Sequence, residues 1–285
     1  MSDSPSLPPA TRIGAVTLAV ADLGRSLEFY QQALGFRLHR RADGTAALGA
    51  GGPDLLRLVE QPGARPARGV TGLYHFAVLV PTRRDLARSL RRLAELRTPL
   101  QGMSDHAVSE AIYLADPDGN GIEIYRDRPR AEWPRAGPEV RMTVEPLDLD
   151  GLLGELAGDE EPWSGLRPAT TIGHMHLHVA DIAAARQFYV GVLGFELMQR
   201  FGAQAEFVAA GGYHHHIAYN IWAGRGAPPP APDMAGLRSF EVLLPDQAAL
   251  EAALSRVRAA GLPVEQAAGG TLVRDPSQNA VVLTV

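Results

Sequence analysis

The chain has 285 residues, 46% hydrophobic and 21% charged, enough apolar material for more than one packed core. Its 27 Lys and Arg against 32 Asp and Glu leave a net charge of −5, so no basic nucleic-acid surface is expected. Cysteine is absent while histidine occurs 9 times, which excludes disulfides, thiolate zinc sites, iron–sulfur clusters and a cysteine nucleophile. Any metal must be held by imidazole and oxygen.

The first stretch, Met1 to Arg12, is rich in Ser and Pro and lacks the apolar centre of a signal peptide. No apolar run approaches the length of a membrane span, so a soluble cytoplasmic protein with no membrane partner is expected. Val16, Leu18 and Val20 then alternate with smaller or polar residues, the period of a half-buried strand. Asp22 is placed to cap a helix carrying Leu27, Tyr30 and Leu34 on one face, and Gly35 to stop it. Short β segments follow, divided by turns such as Asp43-Gly44. The order is strand, helix, three strands: a βαβββ unit with a helix on the back of a curved sheet.

A second unit opens with GLYHFAVLVP from Gly72, in which Phe76, Val78 and Val80 form the apolar face and His75 points to the other side. Its helical stretch carries arginines between Arg83 and Arg92, read as a solvated face. It ends in DPDGNGIEIY from Asp116, where Ile122 and Ile124 flank Glu123. Glu123 is thereby an inward carboxylate in an apolar strand, a costly placement that a cation would explain. Residues 129–169, rich in Pro, Gly and acidic side chains, read as a linker with a short helix around Leu147–Leu156.

The second half repeats the first. IGAVTLAVADLGRSLEFYQQALGF from Ile13 aligns without a gap on IGHMHLHVADIAAARQFYVGVLGF from Ile172. GLYHFAVLVP pairs with GLRSFEVLLP from Gly236, and DPDGNGIEIY with DPSQNAVVLTV from Asp275. The chain therefore holds four units in an α+β fold, with domains at 10–128 and 170–285. In the third unit Met175, Leu177 and Val179 match the apolar face of the first strand, so His174, His176 and His178 point into its cup. His39 stands alone and is assigned no role.

FY-x3-LGF, SDHAVSEAIYLADPDGNGIEIY from Ser104, GHMHLHV and GGYHHHIAYNIWAG from Gly211 together resemble the vicinal oxygen chelate superfamily. That superfamily includes glyoxalase I, bleomycin-resistance proteins and type I extradiol dioxygenases. Within it these motifs look like the two-domain catechol-2,3-dioxygenase branch, the CatE type. The resemblance implies tandem vicinal-oxygen-chelate domains and metal ligands on the first strand of one unit and the first and last strands of its partner. Carried over, the candidates are Ala15, His75 and Glu123, His174, and Ser239 and Val282. Only pairing the second unit with the third completes a set, His75, Glu123 and His174, so units are expected to pair across the halves and leave the other cup without metal.

Two imidazoles and a carboxylate on one face suit Fe(II), with Mn(II) sharing the ligand set, and leave positions for a catecholic diol and O2. The resemblance further implies that the acid–base group is His215, with His216 next to it as a second, substrate-binding candidate. Strand alternation through Ile217 and Tyr219 would instead turn His214 and His216 inward, and a bulge would bring His215 back. His106 and Tyr113 match the family's H-x-V-S…Y pattern as hydrogen-bonding catalytic groups. His176 is placed as a substrate-binding residue, His178 as one that orients a ligand, and Asn220 as a further pocket residue. The activity implied is Fe(II)-dependent extradiol cleavage of catechol or a related diol. The alternatives are a glyoxalase-type lyase or isomerase, which needs a fourth protein ligand, and a small-molecule-binding resistance protein. Either a monomer or a homo-oligomer satisfies the duplicated chain.

Overall fold

The computed structural model describes residues 6–137 and 139–285. The stretch expected to lack a leader, Met1 to Arg12, lies partly outside them.

The first unit runs β1 (Arg12–Val20), α1 (Leu23–Gln32), β2 (Arg37–Ala42), β3 (Thr45–Gly49) and β4 (Asp54–Glu60). The second runs β5 (Gly72–Leu79), α2 (Arg83–Glu95), β6 (Leu100–Asp105), β7 (Ser109–Ala115) and β8 (Gly121–Asp127). Between the halves lie a 3-10 turn (Arg130–Glu132), the small hairpin β9 (Arg135–Ala136) and β10 (Glu139–Val140), and α3 (Leu149–Gly154). The third unit comprises β11 (Thr171–His178), α4 (Ile182–Arg186) continuing as a π-helical stretch (Gln187–Leu193), β12 (Glu196–Phe201), β13 (Ala205–Ala209) and β14 (Ile217–Asn220). The fourth comprises β15 (Gly236–Leu243), α5 (Gln247–Ala259), β16 (Glu265–Ala267), β17 (Gly270–Arg274) and β18 (Ala280–Thr284).

The same cap starts each unit's helix. The side chains of Asp22, Thr82, Asp181 and Asp246 accept from the backbone N–H three residues on, satisfying a donor the helix cannot. The chain then turns sharply after the first and third helices at Gly35 and Gly194, whose φ values of +81° and +94° favour glycine.

Units pair across the halves. One eight-stranded sheet has the order β16-β17-β18-β15-β1-β4-β3-β2, joining the fourth unit to the first. The other has the order β12-β13-β14-β11-β5-β8-β7-β6, joining the third to the second. Each seam is an antiparallel pairing of opening strands, β1 with β15 and β11 with β5. The apolar faces of both sheets and the helices share one core, including Leu18, Tyr30, Phe76, Phe188 and Phe240. Full burial of such side chains contributes roughly 1.5–3 kcal/mol each.

The halves are tied internally by a different device. Asp116 opens the turn before β8, its Oδ1 accepting from the N–H of Asp118 and Asn120. Its Oδ2 accepts the Tyr30 hydroxyl at 2.9 Å, linking the second unit to the first. Asp275 repeats this with Ser277, Asn279 and the Tyr189 hydroxyl at 3.0 Å. Burial beside Asp275 holds the Tyr189 phenol well above its ordinary pKa, so it remains a donor. Tyr189→Phe is expected to cost about 1–2 kcal/mol, the range for one buried hydrogen bond to a charged acceptor. Thermal unfolding would read this as a fall of about 2–6 °C, and an unchanged Tm would show that the link contributes nothing.

The arginine face of α2 differs from the expected solvated one. Arg83 pairs with Glu110 at 2.9 Å, and Arg88 with Asp159 at 2.8 Å and Glu161 at 2.5 Å. The acidic residues of the interdomain segment thus lie along this helix, which a reading of α2 alone could not anticipate. Leu152 of α3 is buried in the shared core, and Trp163 packs over Gly35.

Candidate metal centre

The register of the second sheet builds one row of side chains. His174 on β11 lies opposite Ala77 on β5, Ala77 lies beside Glu123 on β8, and Glu123 lies opposite Tyr113 on β7. His75, two residues before Ala77 and on the same face, lies opposite His176. Register shifts in β11 on either side of the His174–His176 stretch locally bend the strand.

His75, Glu123 and His174 are all buried, and their ligand atoms lie within 4.8 Å of one another. Glu123 Oε2 is 3.0 Å from Nε2 of His75 and 3.0 Å from Nε2 of His174. His174 makes a hydrogen bond there, whereas His75 Nε2 has no partner with acceptable geometry. An orphaned buried nitrogen is uncommon and suggests a missing partner. Burial lowers the His174 pKa to about 4 against the pull of Glu123, so its imidazole is neutral near pH 7. Burial would raise Glu123, but the His174 and His75 imidazoles hold its carboxyl well below the usual range. Two imidazoles and one carboxylate fit a divalent first-row metal. Among the described residues this is the one such group identified.

A cavity of about 490 Å³ opens over Glu123 and His75, and His106, Tyr113, His176 and His215 also line it. The His215 ring lies 4.0 Å from that of His174, centre to centre. Burial, reinforced by neighbouring imidazoles, pushes its pKa well down. His106 Nδ1 donates to the Thr143 carbonyl at 2.6 Å, so its Nε2 accepts from the Tyr113 hydroxyl, also at 2.6 Å. Burial, then the Glu123 charge, keeps that phenol protonated. His178 Nδ1 donates to Asn220 Oδ1 at 2.8 Å, and Asn220 Nδ2 donates to His176 Nε2 at 2.9 Å. His178 therefore supports His176 through Asn220 rather than orienting one of the three clustered residues.

The triple-His stretch departs from alternation. β14 begins only at Ile217, so the backbone before it is not a strand. His215 lines the cavity, while His216 does not. His216 Nδ1 accepts the Ala210 N–H at 3.1 Å and its ring packs beside Tyr213, which removes it from the substrate-binding position expected of it. His214 lies behind His215, their Nδ1 atoms 2.8 Å apart, and its Nε2 meets Asp127 Oδ1 at 2.9 Å. Asp127 Oδ2 accepts the Tyr213 hydroxyl at 2.9 Å, and Tyr213 in turn meets the Tyr125 hydroxyl at 2.8 Å. Asp127 was absent from the expected set, although Glu123, Tyr125 and Asp127 alternate along β8 and so share a face.

The corresponding cup of the first sheet carries Ala15, Ser239 and Val282, none of them a metal ligand. There the Ala15 N–H donates to Glu241 Oε2 at 3.0 Å, and Arg57 holds Glu241 Oε1 at 2.5 Å. His39 lies in the same sheet, paired with Asp54 at 2.9 Å. No helix among the described residues is long and apolar enough to cross a membrane.

Comparison with known proteins gives the family. The chain is 47% identical over 281 residues to a catechol-2,3-dioxygenase of Bacillus subtilis (strain 168), covering 96% of this chain and 97% of that one. A solved structure from Bacillus subtilis subsp. subtilis str. 168 superposes with a TM-score of 0.64 at 15% identity, over 98% of this chain and 85% of that one. Glyoxalase I from Zea mays superposes with a TM-score of 0.56 at 16% identity, over 96% and 92%. These two show the shared fold. The family model of the Glyoxalase/Bleomycin resistance protein/Dioxygenase superfamily matches twice, at residues 12–124 and 171–283, and the chain belongs to that superfamily.

Proposed function

We propose that this protein is an Fe(II)-dependent extradiol dioxygenase that opens the ring of catechol or a related vicinal diol with O2. The observation that carries the reading is the buried His75, Glu123 and His174 set beside a cavity, with His75 Nε2 lacking a partner. The relative named a catechol-2,3-dioxygenase, similar over nearly the whole chain, supports it.

His75, Glu123 and His174 would hold the ion. When bound, it supplies a site at which diol and O2 meet and exchange electrons. The protein's own residues do the rest. His215, kept neutral by burial, accepts a proton from the diol and returns one as the ring opens. His106 and Tyr113 form a hydrogen-bonded pair on the cavity wall that orients the diol and meets developing negative charge. His176, fixed through Asn220, positions the ring, and Phe207 and Trp222 keep water away from it.

A glyoxalase-type reaction would call for a fourth protein ligand. The group gathered among the described residues has three, and His216 is engaged elsewhere. After anaerobic loading with Fe(II), the protein is expected to consume O2 on addition of catechol and give a yellow ring-opened product. Iron-loaded protein that consumes no O2 with any catechol, while turning over a glutathione hemithioacetal with nickel or zinc, would replace this reading with the lyase class.

A further inference from the structure

The cavity changes character along its depth. Its inner end holds His75, Glu123, His215 and Tyr113. Its exposed part carries Val144, Phe201, Trp222 and Tyr74, and Met142 and Phe207 also line it. Large apolar side chains rarely stand open to water in a cluster without a ligand to cover them, yet Val144 is 67% exposed, Phe201 51%, Trp222 43% and Tyr74 41%. The aromatic rings also touch: Tyr74 lies 5.1 Å from Trp222 and 4.9 Å from His176.

Size and charge point the same way. An apolar cavity of about 150 Å³ is enough for benzene, so 490 Å³ leaves room for much more than one unsubstituted ring. No Lys or Arg is among the lining residues. Arg200, between the lining residues Gln199 and Phe201, reaches Glu206 at 3.4 Å. Arg141, one residue before Met142, is exposed and outside the lining. Gln199 spends both ends of its amide on the Met142 backbone, at 2.6 and 3.0 Å. A carboxylate carried on the ring would therefore find no cationic side chain in the lining to pair with as the apolar wall closes around it.

We propose, resting on the dioxygenase reading above, that the preferred substrates are vicinal diols bearing an uncharged apolar substituent, alkyl or aryl, and that ring-carboxylated catechols are rejected. The apolar wall covers the substituent while the inner histidines take the diol.

The test compares catechol, 3-phenylcatechol, 4-tert-butylcatechol, 3,4-dihydroxybenzoate and 3,4-dihydroxyphenylacetate on the iron-loaded protein. Turnover is read from product absorbance, and anaerobic binding from tryptophan fluorescence. For at least one of the two apolar-substituted diols, kcat/KM is expected to equal or exceed that of catechol, with both carboxylates lower by about a hundredfold or more. Either carboxylate within about tenfold of the better apolar diol would overturn the proposal. If no diol is opened but the apolar diols bind more tightly than the carboxylates, the selectivity stands and the dioxygenase reading falls. Phe201→Arg, at an exposed rim position that tolerates charge, is expected to raise the carboxylate-to-neutral ratio at least about tenfold. An unchanged ratio in that variant would also count against the proposal.

Discussion

Glu123→Ala is expected to leave the protein without bound iron, whereas His215→Ala is expected to keep the iron and lose turnover. The two residues differ in what they touch. Glu123 Oε2 stands 3.0 Å from a nitrogen of each imidazole and is the only anion of the set. Without it two imidazoles remain, too weak a pair to hold Fe(II) against water. His215 borders the cavity and makes its hydrogen bond to His214, outside the ligand set. Metal analysis after dialysis separates the two: iron near background in Glu123→Ala, near one equivalent in His215→Ala. Turnover falls by about 10⁴-fold or more in the first and about 10²–10⁴-fold in the second. Thermal unfolding gives a readout independent of activity. Fe(II) at about a hundred times its Kd stabilises the native state by about 2.7 kcal/mol, raising Tm by several degrees in the wild type and in His215→Ala but not in Glu123→Ala. Equal iron loss in both variants would contradict the separate roles.

The centre was legible in the sequence wherever the chain is regular. Alternation along β5, β8 and β11 turned His75, Glu123 and His174 inward, and the family's ligand positions, carried over onto the duplicated units, implied which units must meet to bring them together. Where the period fails, alternation alone misleads. His214 to His216 precede the start of β14, so counting back from Ile217 and Tyr219 turned His214 and His216 inward, and it was the resemblance that pointed to His215, which lines the cavity. The arginines of α2 pair with Asp159 and Glu161, residues in an irregular segment whose path no periodicity announces. The cavity's outer wall is drawn from Val144, Phe201 and Trp222, far apart in the chain and brought together only by packing. Asp127 is a different case. Its alternation with Glu123 and Tyr125 was visible, but a carboxylate at a strand end is ordinary until its partners are known.

Those partners make Asp127 the source of the second large effect. Its carboxylate can only accept, so His214 Nε2 carries a proton, and in the neutral imidazole Nδ1 is then the acceptor. In that tautomer His214 Nδ1 accepts from His215 Nδ1–H, which leaves the lone pair of His215 on Nε2. One partly buried carboxylate thereby fixes the tautomer of the proposed base through an intervening imidazole, and Tyr213 anchors the carboxylate from its other oxygen. In Asp127→Asn the amide can donate to His214 Nε2, reversing both tautomers and putting a proton on the nitrogen of His215 that should take one. The expected result is a fall in kcat of about 10²–10⁴-fold with KM for catechol within a few fold, because the diol-binding groups are untouched. Iron content and the Tm rise on adding Fe(II) should match the wild type, since Asp127 is not a ligand. Asp127→Glu, which restores an anion at a slightly different reach, should recover part of the lost rate. An Asp127→Asn protein with full kcat would show that His215 draws its orientation from somewhere other than this chain of hydrogen bonds, and loss of iron in that variant would show that Asp127 acts on the metal centre itself.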